Sequence, residues 1–325
     1  MEDQVMSEVH IGCPPGVSGP HLSHFFFSIP SGVEQSESSI ENDGAISGHQ
    51  GLDWDDDGDL VLTRRNKLSN KKCGLTIQHM ITSSIPSVGL QVWRAELILA
   101  DFVLHRMFTS SDFEGITTIE LGAGTGLVGI LLARVAKSVF LTDHGEQILE
   151  NCAANVCLNS AIFNSQAAVH VRELDWKNSW PPKTDFDYNS QKRFSWTISE
   201  FEEAQRASLL VAADVIYSDD LTDALFSMLE AIMSHGPDKV LYMALEKRYN
   251  FSLDDLDVVA NGYSHFRSYL RDGGDNAELG SLGDWHFPPF FGKCVDLSEI
   301  PQYIRQYDRG NDVELWQIKY EKRKP

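Results

Sequence analysis

A turn of glycines in the middle of the chain is the first feature that could do chemistry. Residues 120–127, ELGAGTGL, carry glycines at alternate positions, Gly122, Gly124 and Gly126. Glycines let a backbone turn sharply and approach a ligand without a clash at Cβ, and a helix that begins behind such a turn offers free N–H donors. Asp143 follows, and a carboxylate there can accept hydrogen bonds from both hydroxyls of a ribose. These features together predict a site for a nucleoside cofactor.

The spacing of the glycines narrows the choice of cofactor. A dinucleotide-binding turn has the pattern G-x-G-x-x-G, whereas here the third glycine comes one position early and Leu127 occupies the expected place. Glu120, two residues before the first glycine, is a further departure from that pattern. On the residues alone, a dinucleotide site and a turn that merely caps a strand stay open as alternatives. Glu120 has two possible roles, contact with the cofactor or organisation of the turn.

Alternating strands and helices must position this turn. Short β-branched or apolar runs predict strands over 116–121, 139–142, 168–174, 208–213, 239–245 and 313–320. Apolar residues at helical spacing predict helices over 91–109, 126–136, 145–158, 221–234 and 252–270, and 177–206 is predicted to be a polar loop. Strands separated by helices of this length form right-handed βαβ units around a parallel sheet, so we predict an α/β fold.

The motifs in their order resemble a known enzyme family. The spacing E-x-G-x-G-x-G resembles motif I of the seven-β-strand, class I methyltransferases that use S-adenosylmethionine. With VWRAEL, LTD, ELDW, ADVIY and ELW, the chain resembles the family 16 protein methyltransferases, whose characterised members are mostly protein-lysine methyltransferases. The resemblance covers about residues 76–320. It implies a Rossmann-like, mostly parallel sheet of order 3-2-1-4-5-7-6 with helices on both faces, in which residues 313–320 supply an antiparallel strand 7.

The resemblance also implies which residues bind the cofactor and act on the substrate. Asp214 and Tyr217 match the family's acidic-x-x-aromatic motif at the methyl-transfer site. After the third strand, a carboxylate can accept from the exocyclic amine of adenine and an indole can pack on the ring. The residues expected to contact S-adenosylmethionine are Trp93, Glu120, Gly122, Ala123, Gly124, Gly126, Asp143, Asp175, Trp176 and Ala213.

Several of these residues have a purely structural alternative. Trp93 is a candidate core aromatic, and Trp176 is a candidate cover for the edge of the sheet. Asp143 and Asp214 are candidate caps of the helices that follow them. Tyr217 is a candidate packing residue on the next helix.

Methyl transfer to an amine sets the requirements at the acceptor end. A lysine amine with a pKa of about 10.4 must lose its proton, which costs roughly 4.6 kcal/mol at pH 7. The site therefore needs an acceptor that orients the amine, an apolar channel that lowers its pKa, and a route for the proton to water. We expect Asp214 to orient the amine and Tyr217 to wall the channel or accept a hydrogen bond. Residues 246–248, Glu-Lys-Arg, end a strand near this rim, where they either contact the substrate or, as we expect, are solvated.

Composition restricts the possible partners. The 325 residues include 27 Lys and Arg against 47 Asp and Glu, a net charge of −20. Such a chain lacks the basic face that binds phosphates, so we expect no direct nucleic-acid partner, while an acidic surface suits a basic segment around the target lysine. The apolar runs are far shorter than the ~18 residues of a membrane helix, so no membrane is expected. The 11 His and 5 Cys form no metal-ligand pattern, so we assign no metal, and we expect a monomer.

The beginning of the chain differs from the rest. Residues 1–63 carry twelve Asp and Glu and no Lys or Arg, which predicts a mostly disordered acidic extension over 1–75, although 24–29, HFFFSI, can dock as an edge strand. The methyltransferase domain is expected over 76–325. Five bases within 64–72 are either a nuclear-import patch or a solvated linker. With cysteines typical of a reducing compartment, we expect an intracellular protein of the nucleus, the cytoplasm or both.

Overall fold

The architecture comes from a computed structural model that describes residues 4–10, 19–28, 72–182, 193–252, 257–272 and 289–322. Its strands are β1 (Gln4–Met6), β2 (His21–Ser28), β3 (Lys72–His79), β4 (Thr82–Ser84), β5 (Thr117–Leu121), β6 (Ser138–Asp143), β7 (Ala168–Glu173), β8 (Leu209–Ala213), β9 (Val240–Glu246), β10 (Asn250–Ser252), β11 (Asp257–Val259), β12 (Leu270–Asp272), β13 (Phe290–Val295) and β14 (Val313–Tyr320). Its helices are α1 (Arg94–Thr109), α2 (Leu127–Leu132), α3 (Glu146–Asn159), α4 (Ile198–Gln205), α5 (Asp219–Met233) and α6 (Asn261–Ser268).

A central sheet of eight strands has the order β7-β6-β5-β8-β9-β14-β13-β12. Strands β5 to β9 run parallel to one another, whereas β14 is antiparallel to both of its neighbours, β9 and β13. When the short edge strand β12 is left out and the other seven strands of the sheet are numbered along the chain from β5, the order reads 3-2-1-4-5-7-6, which confirms the predicted class I arrangement. The short strand β12, which pairs parallel to β13 at the edge, was not expected.

Helices cover both faces of the sheet because successive strand residues point to opposite sides. In β6, Val139 and Leu141 join the core cluster that contains α1, α2 and α3, while Phe140 joins the cluster that contains α5. Both clusters consist of residues that are nearly all apolar and fully buried. The parallel strands therefore lie in a two-sided core, as their continuous apolar sequences predict.

Two sequence predictions between the strands were wrong. The predicted helix over 252–270 is a β10–β11 pair followed by the short helix α6, with 253–256 outside the described residues. The predicted loop over 177–206 contains α4, which begins at a capping box: Thr197 accepts a hydrogen bond from the Glu200 backbone, and Glu200 accepts one from the Thr197 backbone. That signal stands in the sequence as T-x-x-E.

Part of the acidic extension packs on the domain. Strand β2 pairs antiparallel with β3, and β1 pairs with β4. Phe25 and Phe27 of β2 are buried in the same core cluster as α1, so the segment expected to dock does form a strand, although Ile29 is outside the described residues. The boundary at residue 75 falls inside β3, and the division into extension and domain stays a prediction. The basic residues of 64–71 also lie outside the described part of the chain.

No helix within the described ranges is long and apolar enough to cross a membrane.

Candidate active site

The carboxyl ends of the central strands open on a cavity of about 340 Å³. Its wall brings together residues that stand far apart in the sequence, from α1, from the turns after β5, β6 and β8, and from the segment after β7. The predicted site residues in this wall are Trp93, Glu120, Gly122, Ala123, Gly124, Asp143, Asp175, Trp176, Ala213, Asp214 and Tyr217. Gly126 is the one predicted residue that the structure does not bring to it.

The glycine turn keeps the cavity open through positive backbone angles and missing Cβ atoms. Gly122 has a φ of 65°, and a Cβ there would lie 2.8 Å from Val215 Cγ1 and 3.3 Å from the ring of Trp176. A Cβ on Gly124 would lie 3.0 Å from the carbonyl oxygen of Gly89. Side chains at these positions would therefore displace the opposite walls.

Gly126 has a different role from the one predicted for it. It is the N-cap of α2 with a φ of 81°, and a Cβ there would lie 2.8 Å from Cys152 Sγ of α3. The missing side chain lets α2 begin close against α3. The expected contact with the cofactor is therefore corrected to a packing role behind the turn.

Asp143 ends β6 with its carboxylate held by the backbone. Its Oδ2 accepts a hydrogen bond from Gly124 N at 2.7 Å, and its Oδ1 accepts one from His144 N at 2.7 Å. Burial raises the pKa of Asp143, and the two N–H donors oppose that rise. Asp143 does not cap the helix that follows it, because the N-cap of α3 is Gly145.

Asp175 and Trp176, which follow β7, also line the cavity. Asp175 accepts hydrogen bonds from Lys177 N at 3.0 Å and from Asn178 Nδ2 at 3.1 Å, so its carboxylate is fixed in a turn. The indole Nε1–H of Trp176 is buried and has no hydrogen-bond partner among the described residues. An unpaired buried donor is costly to a folded protein. A ligand with an acceptor at this position would remove that cost, which fits a heterocyclic base.

Two further carboxyl groups, Glu96 and Glu120, lie in the cavity wall. Glu120 Oε2 accepts a hydrogen bond from Gly129 N at 2.8 Å, so Glu120 both organises the turn and faces the site. Glu96 accepts one from Thr125 Oγ1 at 2.6 Å. Burial and then the charge of Glu96 raise the pKa of Glu120 well above its usual range, and burial raises the pKa of Glu96 to about 7. A positively charged ligand would favour the ionised form of both groups.

Asp214 also lines the cavity and has an arginine as its partner. Its side chain is 3% exposed, and its carboxylate accepts hydrogen bonds from Arg248 Nη1 at 3.1 Å and Arg248 Nη2 at 2.5 Å. The guanidinium of Arg248 lies over the ring of Trp93, 5.0 Å from its centroid. Asp214 does not cap α5, whose N-cap is Ser218. Tyr217 stands at the mouth of the cavity and is 44% exposed, so it is not a packing residue.

The expectation of a solvated rim at 246–248 is wrong. Besides the Arg248–Asp214 pair, Glu246 forms an ion pair with Arg94, and Lys247 forms one with Glu314. Sequence reasoning also missed Glu96, although it stands three residues after Trp93 at capping-box spacing. No local sequence pattern predicts the pairing of Arg248, because its partner Asp214 follows a different strand.

Comparison with known proteins decides the family. A family model described as lysine methyltransferase matches residues 69–260, more than half of the chain. The chain belongs to the lysine methyltransferase family. This membership confirms the predicted enzyme class and agrees with the sheet order described above.

Individual proteins are also similar to this lysine methyltransferase, and the first two align with a larger part of the chain than the family model does. Methyltransferase-like protein 22 of Mus musculus is 32% identical over 341 aligned residues, which cover 94% of this chain and 80% of the relative. The protein of the same name from Homo sapiens is 37% identical over 247 residues, or 75% of this chain and 57% of the relative. The protein N-lysine methyltransferase METTL21A of Danio rerio is 32% identical over 196 residues, covering 58% of this chain and 77% of that protein.

Proposed function

We propose that the chain transfers a methyl group from S-adenosylmethionine to a lysine side-chain amine of a protein substrate. The observation that carries the proposal is that one cavity brings these groups together. Its wall contains Trp176 with an unpaired N–H, Asp143 bound to the glycine turn, and Asp214 with Tyr217. Such a set of groups suits a base, a sugar and an amine acceptor.

The residues present fit S-adenosylmethionine. Asp175 and Trp176 would hold the adenine, Asp143 the ribose hydroxyls, and the carboxylates of Glu96 and Glu120 would attract the positively charged end. When bound, the cofactor supplies an electrophilic methyl group on a sulfonium, so the protein contributes binding and alignment rather than covalent chemistry.

Asp214 and Tyr217 prepare the acceptor. Asp214 is buried and retains free lone pairs beside those that Arg248 engages, so it can accept a hydrogen bond from an incoming amine. Tyr217 lies at the mouth, where its ring can wall the approach of an aliphatic side chain. These residues would align the lone pair of the amine with the methyl carbon, whose bond to sulfur would break as the bond to nitrogen forms, and the proton of the amine would leave through the open mouth to water.

The partner is a protein, and we propose that its target lysine lies in a basic segment. The net charge of −20 would attract such a segment and repel nucleic acid. We further propose that the protein acts as a monomer, that it works in the nucleus, the cytoplasm or both, and that residues 76–325 form the methyltransferase domain.

Isotope-labelled methyl transfer into a cell extract tests the function. The wild type should place label on a lysine residue that mass spectrometry can map. Asp214→Ala should keep cofactor binding and lose most of the transfer rate. Label on a histidine or a small amine would contradict the proposed acceptor, and an Asp214→Ala variant with the wild-type rate would contradict the role of Asp214. If the wild type binds no S-adenosylmethionine and transfers no label, the chain is a binding scaffold instead.

A further inference from the structure

Asp214, the residue proposed to orient the amine, already has a cation as its partner. Arg248 contacts both carboxylate oxygens of Asp214 through its two Nη atoms, at 3.1 Å and 2.5 Å, in a bidentate pair. The ring of Trp93 supports the guanidinium at 5.0 Å. Bidentate pairs with a cation–π contact are among the strongest arrangements available to arginine.

Displacing Arg248 would be unfavourable for a substrate lysine. An ammonium ion makes a point contact, whereas the guanidinium makes two parallel hydrogen bonds and also stacks. The side chain of Asp214 is 3% exposed, and separating a buried carboxylate from its guanidinium is strongly destabilising. The pair therefore stays intact when the substrate enters, and the lysine meets an Asp214 whose charge is already compensated.

We propose that Arg248 is a positioning residue for methyl transfer: it remains bound to Asp214 and thereby makes the site accept the substrate lysine as the neutral amine rather than as the ammonium ion. This inference rests on the proposed function. A free buried carboxylate would do the opposite, because an opposite charge close by stabilises the ammonium form, which has no lone pair for the reaction.

The compensated pair also explains how the site avoids a conflict between binding and reaction. A single carboxylate that bound the ammonium tightly would lower KM and hold the substrate in its unreactive form. With Arg248 in place, Asp214 can orient one N–H of the amine, while the guanidinium disfavours a second positive charge beside it. Each unit by which the pKa of the amine falls increases the neutral fraction about tenfold at neutral pH.

Other charged and titratable groups surround this pair and act on the same equilibrium. They come from the segment before β2, from α1, from the ends of β5, β6 and β9, and from the turn after β8. These groups are Glu8, Arg94, Glu96, Glu120, Asp143, Tyr217 and Glu246. Arg94 is paired with Glu246, so Arg248 is the cation in direct contact with Asp214 among the described residues.

The test is the pH dependence of methyl transfer in charge variants. The probe is the protein in a cell extract that the wild type labels on lysine, purified and used at varied concentration. For Arg248→Met, we expect the alkaline-rising limb of the rate profile to move up by about one pH unit or more, because the remaining charge of Asp214 retains a proton. At pH 7 the rate of this variant should be about tenfold lower, with an unchanged or lower KM, and the rate should recover at high pH. The Arg248→Lys variant should restore most of the difference in rate.

For Asp214→Asn, which leaves Arg248 in place, we expect the pH profile to shift in the opposite direction. The amide can still accept a hydrogen bond, but the guanidinium is no longer compensated, so the rising limb should move to lower pH even if the maximal rate falls. Arg172→Met is the matched control, because Arg172 forms a two-point pair with Glu200 away from the cavity. Its profile should equal that of the wild type. Cofactor binding and thermal midpoints check that each variant is folded.

Two results would overturn the inference. An Arg248→Met variant that is faster at pH 7 with a lower KM would make Arg248 a plug that the substrate displaces. Profiles that stay in place in both Arg248→Met and Asp214→Asn would remove any effect of the pair on the amine. If the wild type labels no lysine, the proposed function fails instead, and this outcome is separate because it is measured before any variant is compared.

Discussion

Gly122 shows how a single residue keeps the cofactor cavity open. Its φ of 65° is left-handed, and a Cβ would lie 2.8 Å from Val215 Cγ1. Gly115 has the same φ of 65°, but a Cβ there would meet nothing within 4 Å. The two positions therefore share the backbone cost of a side chain and differ only in crowding.

Changing Gly122 to alanine should damage the site, whereas changing Gly115 should not. Both variants should lose roughly 1–2 kcal/mol of stability from left-handed strain. Only Gly122→Ala should also lose affinity for S-adenosylmethionine, by at least about tenfold, because Val215 and Trp176 must move. Calorimetric titration measures the affinity, and equal affinities in the two variants would mean that the cavity does not depend on the Gly122 contact.

At this scale, the sequence predicted the residues that belong to a local motif. Asp143 and Asp214 each follow an apolar strand directly, so their place at the edge of the sheet could be predicted from their position. Arg248 and its pairing with Asp214 could not, because the partners are 34 positions apart and meet only through the β8–β9 register. Gly126 was assigned to the cofactor because spacing alone does not tell which glycine of the turn faces the cavity.

At the scale of elements, side chains of helix α3 form hydrogen bonds with the backbone of β3 where a neighbouring strand would otherwise pair. Asn155 accepts a hydrogen bond from Gln78 N at 2.7 Å and donates to Gln78 O and Thr125 O, both at 2.9 Å. Asn159, one turn later, accepts from Thr76 N at 2.9 Å and donates to Thr76 O at 2.8 Å. Two amide side chains thus satisfy the edge of β3 and connect it to the glycine turn.

Removing the amide of Asn155 should destabilise the whole connection. Asn155→Ala leaves Gln78 N and Thr125 O without these partners in a buried place, so we expect a loss of about 2–3 kcal/mol in the free energy of unfolding. Asn151→Ala is the control, because the Gln78 oxygen that Asn151 contacts still accepts from Asn155. Chemical denaturation measures both, and similar losses in the two variants would contradict the special role of Asn155.

Elements whose residues follow a single strand or helix pattern could be predicted from the sequence. Stretches whose residues fit both patterns could not. The strand over 313–320 has the bounds that its sequence predicts. Residues 252–270 carry apolar positions that also fit a helix, and β10, β11 and α6 share that stretch because tertiary pairing overrides a weak local preference. The 3₁₀ helix Ile85–Leu90, which lies shortly before α1, has no periodic signal in the sequence and yet forms part of the cavity wall.

At the scale of the whole molecule, histidines join the beginning of the chain to the domain. His10 stacks on His79 with ring centroids 4.7 Å apart, and both are buried. Burial and the neighbouring histidines lower the pKa of His10 to about 4, and burial lowers the pKa of His79. Both rings are therefore neutral in the folded protein at pH values where the unfolded chain already binds protons.

Stability should consequently fall as the pH falls. The stabilising effect of the neutral rings is complete above about pH 6.5 and is lost toward pH 4, by at most about 1.4 kcal/mol per pH unit for each histidine. His10→Phe keeps a ring against His79 and removes one titration, so its free energy of unfolding should fall less between pH 7 and 5. Equal pH dependence in the two proteins would show that His10 does not resist protonation.

Composition predicted the acidic character of the extension but not its packing. Charge and low hydrophobicity argue for disorder over residues 1–63 as an average. The two described segments, 4–10 and 19–28, are short, and their buried Phe25, Phe27 and His10 are too few to change that average. Strand β2 pairs with β3, which follows the acidic stretch in the chain, and no local pattern in the sequence indicates that these two segments pair.

Titration of S-adenosylmethionine into the full chain tests the central claim most directly. Calorimetry should show binding of one equivalent to the wild type and at least about tenfold weaker binding, or about 1.4 kcal/mol, for Asp143→Ala. Asp112→Ala, which removes a carboxylate that is 53% exposed at the end of α1, should bind as the wild type does. A wild type that takes up no S-adenosylmethionine, or an Asp143→Ala variant of equal affinity, would contradict the assignment of this cavity.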